Sequence, residues 1–260
     1  MILNAIDSIV VQSYKKWKVT VIDNNSSDNT IETISKKYRK LINKKIFIKK
    51  FKPFVSQPAN WNRSLEQIST EKYFMLLCSD DYIHKNFLEI GLKKLGDKKN
   101  LCGYCSAVFY VDQNKNIIKK RNYGFYGLEV LASFFYRNYI GIPSSSIFRA
   151  DDYKKYKYPI NINYAGDMIF SLRPYKKKKK IIFDKTPLSY FTVHGNTHSS
   201  NDFGSWKMIV GKYKFRIYVV KKIFNCSKFS ENIFLIISRY MLFAELYFFK
   251  LYRFFKCLKK

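Results

Sequence analysis

A β-branched run, Val19-Thr20-Val21-Ile22, leads directly into the polar series Asp23-Asn24-Asn25-Ser26-Ser27-Asp28-Asn29-Thr30. A run with no polar face suits a strand buried on both sides, as in a parallel sheet. Asp, Asn and Ser then supply turn and cap chemistry, and Thr30 to Lys40 reads as a basic amphipathic helix. The rhythm repeats. Lys45 to Lys50 reads as a strand, Pro58 to Ser69 as a helix, and Tyr73 to Leu77 as a strong strand ending in Cys78-Ser79-Asp80-Asp81. Strand and helix in alternation predict an α/β domain with a mostly parallel sheet flanked by helices. Ligands of such sheets bind beyond the carboxyl ends of the strands. Both polar clusters, 23–30 and 79–81, fall there.

The flanking segments extend this pattern. Leu3, Ile6, Ile9 and Val10 have helical spacing, which predicts a helix in Leu3 to Gln12. Helices are expected near Asn86 to Leu95 and Leu128 to Tyr136, with a strand near 104–111 between them. A small-residue turn follows at Gly141-Ile142-Pro143-Ser144-Ser145-Ser146. Tyr164-Ala165-Gly166-Asp167 opens a further helical stretch. The lysines at 176–180 read as a solvated turn, and Ile181 to Phe183 and Leu188 to Val193 as strands leading to His194. From Asn232 to Lys260 the chain is apolar and aromatic with interspersed charges, which predicts a helical C-terminal tail.

Adjacent carboxylates repel unless a cation or hydrogen bonds compensate. Asp80 and Asp81 at a strand end therefore suit Mg²⁺ or Mn²⁺, which takes one or two carboxylates and leaves room for substrate phosphates. A cap or a solvated loop is the bland alternative for such a pair. The same holds for Asp167, which read alone could be a helix cap after Gly166, and for His194, which could be a polar loop residue. Cys102 and Cys105 form a lone C-x-x-C within an apolar run, and no second ligand pair is spaced for zinc, so both are expected as buried thiols. The five cysteines form no regular framework, which points to a reducing compartment.

Taken in order, these segments resemble glycosyltransferase family 2. Ser8 to Tyr14 is similar to the helix end before the family's nucleotide-binding strand, and Val19 to Thr30 to that strand and its loop. Asn60 to Leu65 resembles the helix before the metal motif, and Tyr73 to Asp81 the strand carrying the D-x-D motif. Gly166-Asp167-Met168, with Arg173 downstream, resembles the segment bearing the catalytic base. Pro187 to Tyr190 and Val193 to Asn196 resemble the closing strand and its His-containing loop. The resemblance covers roughly residues 3–200. It implies a GT-A fold, Rossmann-like, and inverting transfer of a sugar from a nucleotide-diphosphate-sugar donor to an acceptor hydroxyl. Asp23, Asn24 and Asn62 would contact the nucleotide. Asp80 would coordinate a divalent cation, with Asp81 beside it and His194 as a further ligand, and Asp167 would be the general base. Cys78 stands where the family has its first acidic residue. The family also begins with an apolar strand ahead of the helix that here holds Ala5 to Ile9, so the resemblance implies that the first strand is missing.

Domain organisation follows: residues 1–200 as the glycosyltransferase domain and 201–260 as a basic, aromatic helical extension. Lys and Arg number 48 against 19 Asp and Glu, a formal charge of +29, which favours anionic partners. Nucleic acid is one such class, but the basic residues are spread along the chain and no nucleic-acid module appears. An anionic membrane surface is another. The tail's aromatics are interrupted by cations too often for a span and fit an interfacial helix, or one packed on the domain. No basic region followed by an apolar stretch opens the chain, so a cytoplasmic protein is expected, peripheral on the inner face of the membrane. The resemblance adds a glycan or lipid-linked acceptor and a place in surface-polysaccharide biosynthesis. Its counterpart is a catalytically silent remnant of the same fold.

Overall fold

The structure is a computed structural model, and it describes residues 1–135, 138–162, 165–195, 205–224 and 227–258. Asn196 and Tyr164 of the motifs above lie outside the described residues. The N-terminal part runs α1 (Ile2–Val10), β1 (Val19–Asp23), α2 (Thr30–Lys37), β2 (Ile46–Lys50) and α3 (Gln57–Leu65). β1 and β2 pair in parallel, Val19 opposite Ile46, and β1 meets no other strand among the described residues. Ile6, Val21, Ile34, Tyr38 and Ile46 form a small core between this ribbon and its helices. Ile6 and Val21 are among the apolar positions from which α1 and β1 are expected.

A second sheet follows: β3 (Tyr73–Phe74), β4 (Tyr82–Ile83), β5 (Leu101–Val111), β6 (Ile117–Arg121), β7 (Ser146–Arg149) and β8 (Lys180–Thr192). Its order is β3-β7-β5-β8-β4, with β6 also on β5. Between the strands lie α4 (Phe87–Leu95), α5 (Glu129–Phe135), α6 (Ala150–Tyr153) and α7 (Gly166–Leu172). The α/β architecture flanked by helices is the expected one, but this sheet is mixed. β5 and β8 are parallel, whereas β3, β4, β6 and β7 pair antiparallel with their neighbours. Parallel strands need a crossover connection, and α5 to α7 lie between β5 and β8 in the chain, whereas antiparallel neighbours carry no such requirement. The expected strands 181–183 and 188–193 are one strand. Asp184 to Pro187 hid its continuity, because β8 crosses them by shifting register against β5 at Ala107 and Pro187.

Gln12 joins the two parts. It is fully buried, and its amide donates to the carbonyls of Ser8 and His84, both at 2.8 Å, and accepts from the Leu88 amide at 3.0 Å. The loop after the Asp pair is thereby fixed to the end of α1. Cys102 and Cys105 are buried free thiols in β5, as read from the sequence. The close approach of Gly141 explains why the following turn needs glycine: φ is +106°, and a Cβ would lie 2.5 Å from Cys105 Sγ.

Two helices complete the chain, α8 (Trp206–Lys222) and α9 (Lys228–Leu258). Phe215, Val219 and Val220 of α8 enter the main core beside Phe134, Phe148 and Phe170, and Phe234, Ile237 and Met241 of α9 pack against it. Arg216, 2% exposed, donates to the Phe134 carbonyl at 3.1 Å and pairs through both terminal nitrogens with Glu245. Among the described residues no helix is long and apolar enough to cross a membrane.

Candidate active site

Topology brings the second acidic cluster together. β4 starts immediately after Asp81 and runs antiparallel to β8, Tyr82 opposite Tyr190 and Ile83 opposite Ser189. The two rings stack at 4.5 Å. That pairing aligns Asp80 and Asp81 with the end of β8, where His194 follows. His194 Nε2 lies 3.1 Å from Asp80 Oδ2, and the Thr192 amide donates to Asp81 Oδ1 at 3.1 Å. Ligand atoms of Cys78, Asp80 and Asp81 all lie within 4.8 Å of one another. Of the predicted residues, the structure thus gathers Asp80, Asp81 and His194, with Cys78 added.

The electrostatics of this cluster are unbalanced. Asp81 is 1% exposed; burial first, then the charge of Asp80, pushes its carboxyl up to about 7, against hydrogen bonds from Ser144 and the Thr192 amide. Burial raises the Cys78 thiol well above its usual value, and Asp81, Asp80 and Asp167 raise it further. Without a cation beside it the sulfur is therefore held as a neutral thiol. Two carboxylates, one of them pushed toward protonation for lack of positive charge, form an oxygen-rich set that fits Mg²⁺ or Mn²⁺ better than a soft metal.

Asp167 sits in the first turn of α7, two residues after Ala165, a non-glycine residue held in the left-handed region at φ +68°. Such a conformation costs free energy and persists only where the surroundings enforce it. Burial pushes the Asp167 carboxyl up to about 6, opposed by hydrogen bonds from the Met168 amide and its own and by the distant charge of Arg121. Asp167 acts electrostatically on Cys78 and on Tyr158, as Cys78 does on Tyr158, so these groups share one buried region.

Asn62, expected at the nucleotide, bonds the Tyr158 backbone. Its amide donates to the Tyr158 carbonyl at 3.0 Å and accepts from the Tyr158 amide at 2.7 Å. Tyr158 is further held by Phe170, stacked at 4.0 Å, and by the edge of Trp61. Asn62 therefore braces the wall of the buried region. Asn24 is likewise engaged: it exchanges two hydrogen bonds with the Val55 backbone and accepts from Arg63 Nη1 at 3.0 Å. Asp23 accepts from the Ser26 amide and hydroxyl. Together with Asn25, Lys50 and Lys52, it lines a cleft of about 390 Å³ at the end of β1 and β2.

Three contributors escaped sequence reading. Ser144 accepts from the Cys78 amide at 3.1 Å and hydrogen-bonds Asp81. Arg63 fixes Asn24, and Gln12 fixes the loop behind the Asp pair. Ser144 lay in a turn already noted for its small residues, the one available signal. The other two depend on partners far away in the chain.

Comparison with known proteins gives the fold and the family. An uncharacterized glycosyltransferase of Methanocaldococcus jannaschii is 25% identical over 169 residues, 65% of this chain and 58% of that protein, so the chain spans about three-fifths of the length of this curated relative. The fold is similar to that of S. aureus TarS, with a TM-score of 0.62 at 17% identity over 94% of this chain and 68% of that one. It is also similar to the mannosyltransferase PcManGT of Pyrobaculum calidifontis, solved with GDP-Man and Mn²⁺, with a TM-score of 0.58 at 14% identity over 94% of this chain and 70% of that one. Both likenesses establish a GT-A fold. The profile described as Glycosyl transferase family 2 matches residues 1–157, and the chain belongs to that family.

Proposed function

We propose that the protein transfers a sugar from a nucleotide-diphosphate-sugar donor to an acceptor hydroxyl with inversion at the anomeric carbon. The observation that carries this reading is the gathering of Asp80, the buried Asp81 and His194 at the end of β8, with Asp167 near enough to act on Cys78 beside them. Asp80 and Asp81, with His194 against Asp80, would hold Mg²⁺ or Mn²⁺. When bound, the cation supplies Lewis-acid stabilisation for the departing diphosphate. The PcManGT complex, with GDP-Man and Mn²⁺, supports this choice of ligands. The cleft at Asp23, with Lys50 and Lys52, would take the nucleotide part of the donor, and Asn24 shapes its surroundings through its bonds to Val55 and Arg63, while Asn62 braces Tyr158.

Asp167 is the proposed general base. A carboxyl raised to about 6 is still ionised near neutral pH, yet is a better proton acceptor than an ordinary aspartate. It would take the proton of the acceptor hydroxyl as that oxygen attacks from the face opposite the leaving group. We assign the glycosyltransferase domain to residues 1–200 and the helical extension to 201–260. The acceptor is read as a glycan or a lipid-linked sugar of surface-polysaccharide assembly, met at the inner face of the membrane. The exposed apolar side chains of α9 support that location: Phe229, Ile233, Ile236, Tyr240, Phe243 and Tyr247 recur at helical spacing on the face turned from the core. Leu251, Phe254 and Phe255 continue the sequence pattern, but their side chains lie outside the described residues.

The test is calorimetry of UDP- and GDP-sugars with Mn²⁺ and with chelator, on the wild type and on Asp80→Asn. Donor binding should require the cation and fall at least about tenfold in the variant, about 1.4 kcal/mol. Donor binding that ignores both chelator and substitution would remove Asp80 from the site.

A further inference from the structure

The two C-terminal helices leave a groove of about 540 Å³ between them, within the range of small-ligand sites. Its floor is apolar, formed mainly by Ile217 and Tyr218 of α8 and Leu235 of α9. Its rim is cationic: Lys214, Lys221 and Lys222 from α8 and Arg239 from α9, with no carboxylate among the lining residues. Lys214 is anchored to the Asn161 carbonyl at 2.9 Å. Glu245, the acid that both helices share, is already engaged by Arg216 and Lys212.

We propose that this groove binds the phosphate and adjoining acyl chain of an anionic membrane phospholipid. Each half of the site argues for one half of the ligand. Four cations along one groove, with no carboxylate among its lining residues, select a phosphate, to which an arginine fork adds directional hydrogen bonds. The apolar floor selects a chain, because a free phosphate or a nucleic-acid backbone would leave it wet. Position supplies the third argument. Arg239 and Leu235 lie beside the exposed stripe of Ile236 and Tyr240, so a bilayer touching that stripe presents its headgroups at the groove mouth. Tyr218 reaches back to the catalytic domain, its ring 5.3 Å from the Arg173 guanidinium, directly after α7. The inference rests on the membrane location proposed above and adds a defined lipid site to it.

Two binding arms separate the groove from the wider membrane reading. The first titrates monomeric dihexanoyl phosphatidylglycerol, below its micelle concentration, against the full chain, with glycerol phosphate and inorganic phosphate as headgroup controls. Saturable lipid binding is expected, at least about tenfold tighter than either control, as the chain's burial requires. Lys221→Glu/Lys222→Glu and Arg239→Glu should each weaken it about tenfold or more. Lys98→Glu/Lys99→Glu, the same charge change on an exposed loop, should leave it unchanged. Because the groove cations are exposed, the fold should survive, and the milder Lys221→Gln/Lys222→Gln must weaken binding in the same direction. Equal loss in the distant control, equal binding of glycerol phosphate, absence of saturation, or a neutral glutamine variant would each overturn the proposal. The second arm sediments the protein with phosphatidylcholine vesicles with or without about 30 mol % phosphatidylglycerol. Vesicle binding that survives the groove substitutions, alongside lost monomer binding, keeps the membrane reading and confines the lipid site to the groove. Monomer binding without any vesicle binding overturns the membrane reading and, with it, the phospholipid as occupant.

Discussion

Both ends of the molecule's two sheets carry clustered acids, and their surroundings differ. At the end of β1, Asp23 accepts from Ser26, and Asp28 lies in solvent with its carboxyl held below the usual range by hydrogen bonds from Thr30. Asn24 is tied to Val55 and Arg63. That loop is complete as it stands, with lysines at its rim. At the end of the Met75 to Leu77 segment and at the start of α7, burial dominates, and Asp81 and Asp167 are raised to about 7 and about 6. A site whose own groups leave its acids under-compensated is one that gains most from an incoming cation or an incoming proton. On the function proposed above, the contrast separates a cleft that recognises from a pocket that reacts.

The sharpest way to break that contrast is Asp167→Asn. Turnover should fall by about 10²–10⁴-fold with donor affinity nearly unchanged, measured by steady-state kinetics beside calorimetry. Wild-type turnover would mean that another group takes the proton. The next effect is on stability without ligands. A carboxyl raised from 3.8 to about 6 on folding keeps its proton in the folded state while the unfolded chain has lost it. Stability from this group is therefore full below about pH 4 and is lost as pH rises through about 6, on the order of 3 kcal/mol in all. Asp167→Asn should lack that loss and gain on the wild type between those pH values in urea melts. Parallel pH curves would show that Asp167 is not buried as described.

Two smaller effects probe the wall of the buried region and the recognising cleft. Asn62→Ala leaves the Tyr158 amide and carbonyl without partners, which should cost about 2 kcal/mol of stability by denaturant titration. Donor affinity of the folded fraction should change much less; a large affinity loss at unchanged stability would return Asn62 to the nucleotide pocket. Asp23→Ala should raise the donor dissociation constant about tenfold, roughly 1.4 kcal/mol, and leave saturated turnover in place. Loss of turnover instead would move Asp23 to the reacting side.

The difference between the two regions also marks what could be read from the chain alone. β1, β2 and β5, the helices from α1 to α4 and both acidic loops follow from periodicity and turn chemistry, which are local. The family resemblance supplied Asp167, which local patterning could not separate from a helix cap. Hidden from any local reading were the bonds that Asn62 makes to Tyr158 and Gln12 makes to His84, because each partner lies on a distant element. The continuous β8 was obscured by Asp184 to Pro187, and the mixed sheet by strands such as β3 and β4 that are only two residues long. Asn24 and Asn62 were read as ligand contacts from their motif positions; their side-chain partners emerge only once the chain is folded.

The exposed face of α9 has a colloidal consequence. Phe229, Tyr240, Phe243, Tyr247 and Phe248 are each more than half exposed, an oily strip on a molecule of formal charge +29. In dilute buffer, mutual repulsion between such highly charged copies keeps their strips apart. Added salt shortens the reach of that repulsion to about 10 Å at 0.1 M and about 3 Å at 1 M, while leaving the apolar attraction in force. Ionic strength therefore works against this protein in free solution, where it would help an ordinary sparingly charged enzyme. Storage without lipid or detergent is governed by light-scattering onset along a salt gradient, with the clear solution at the dilute end.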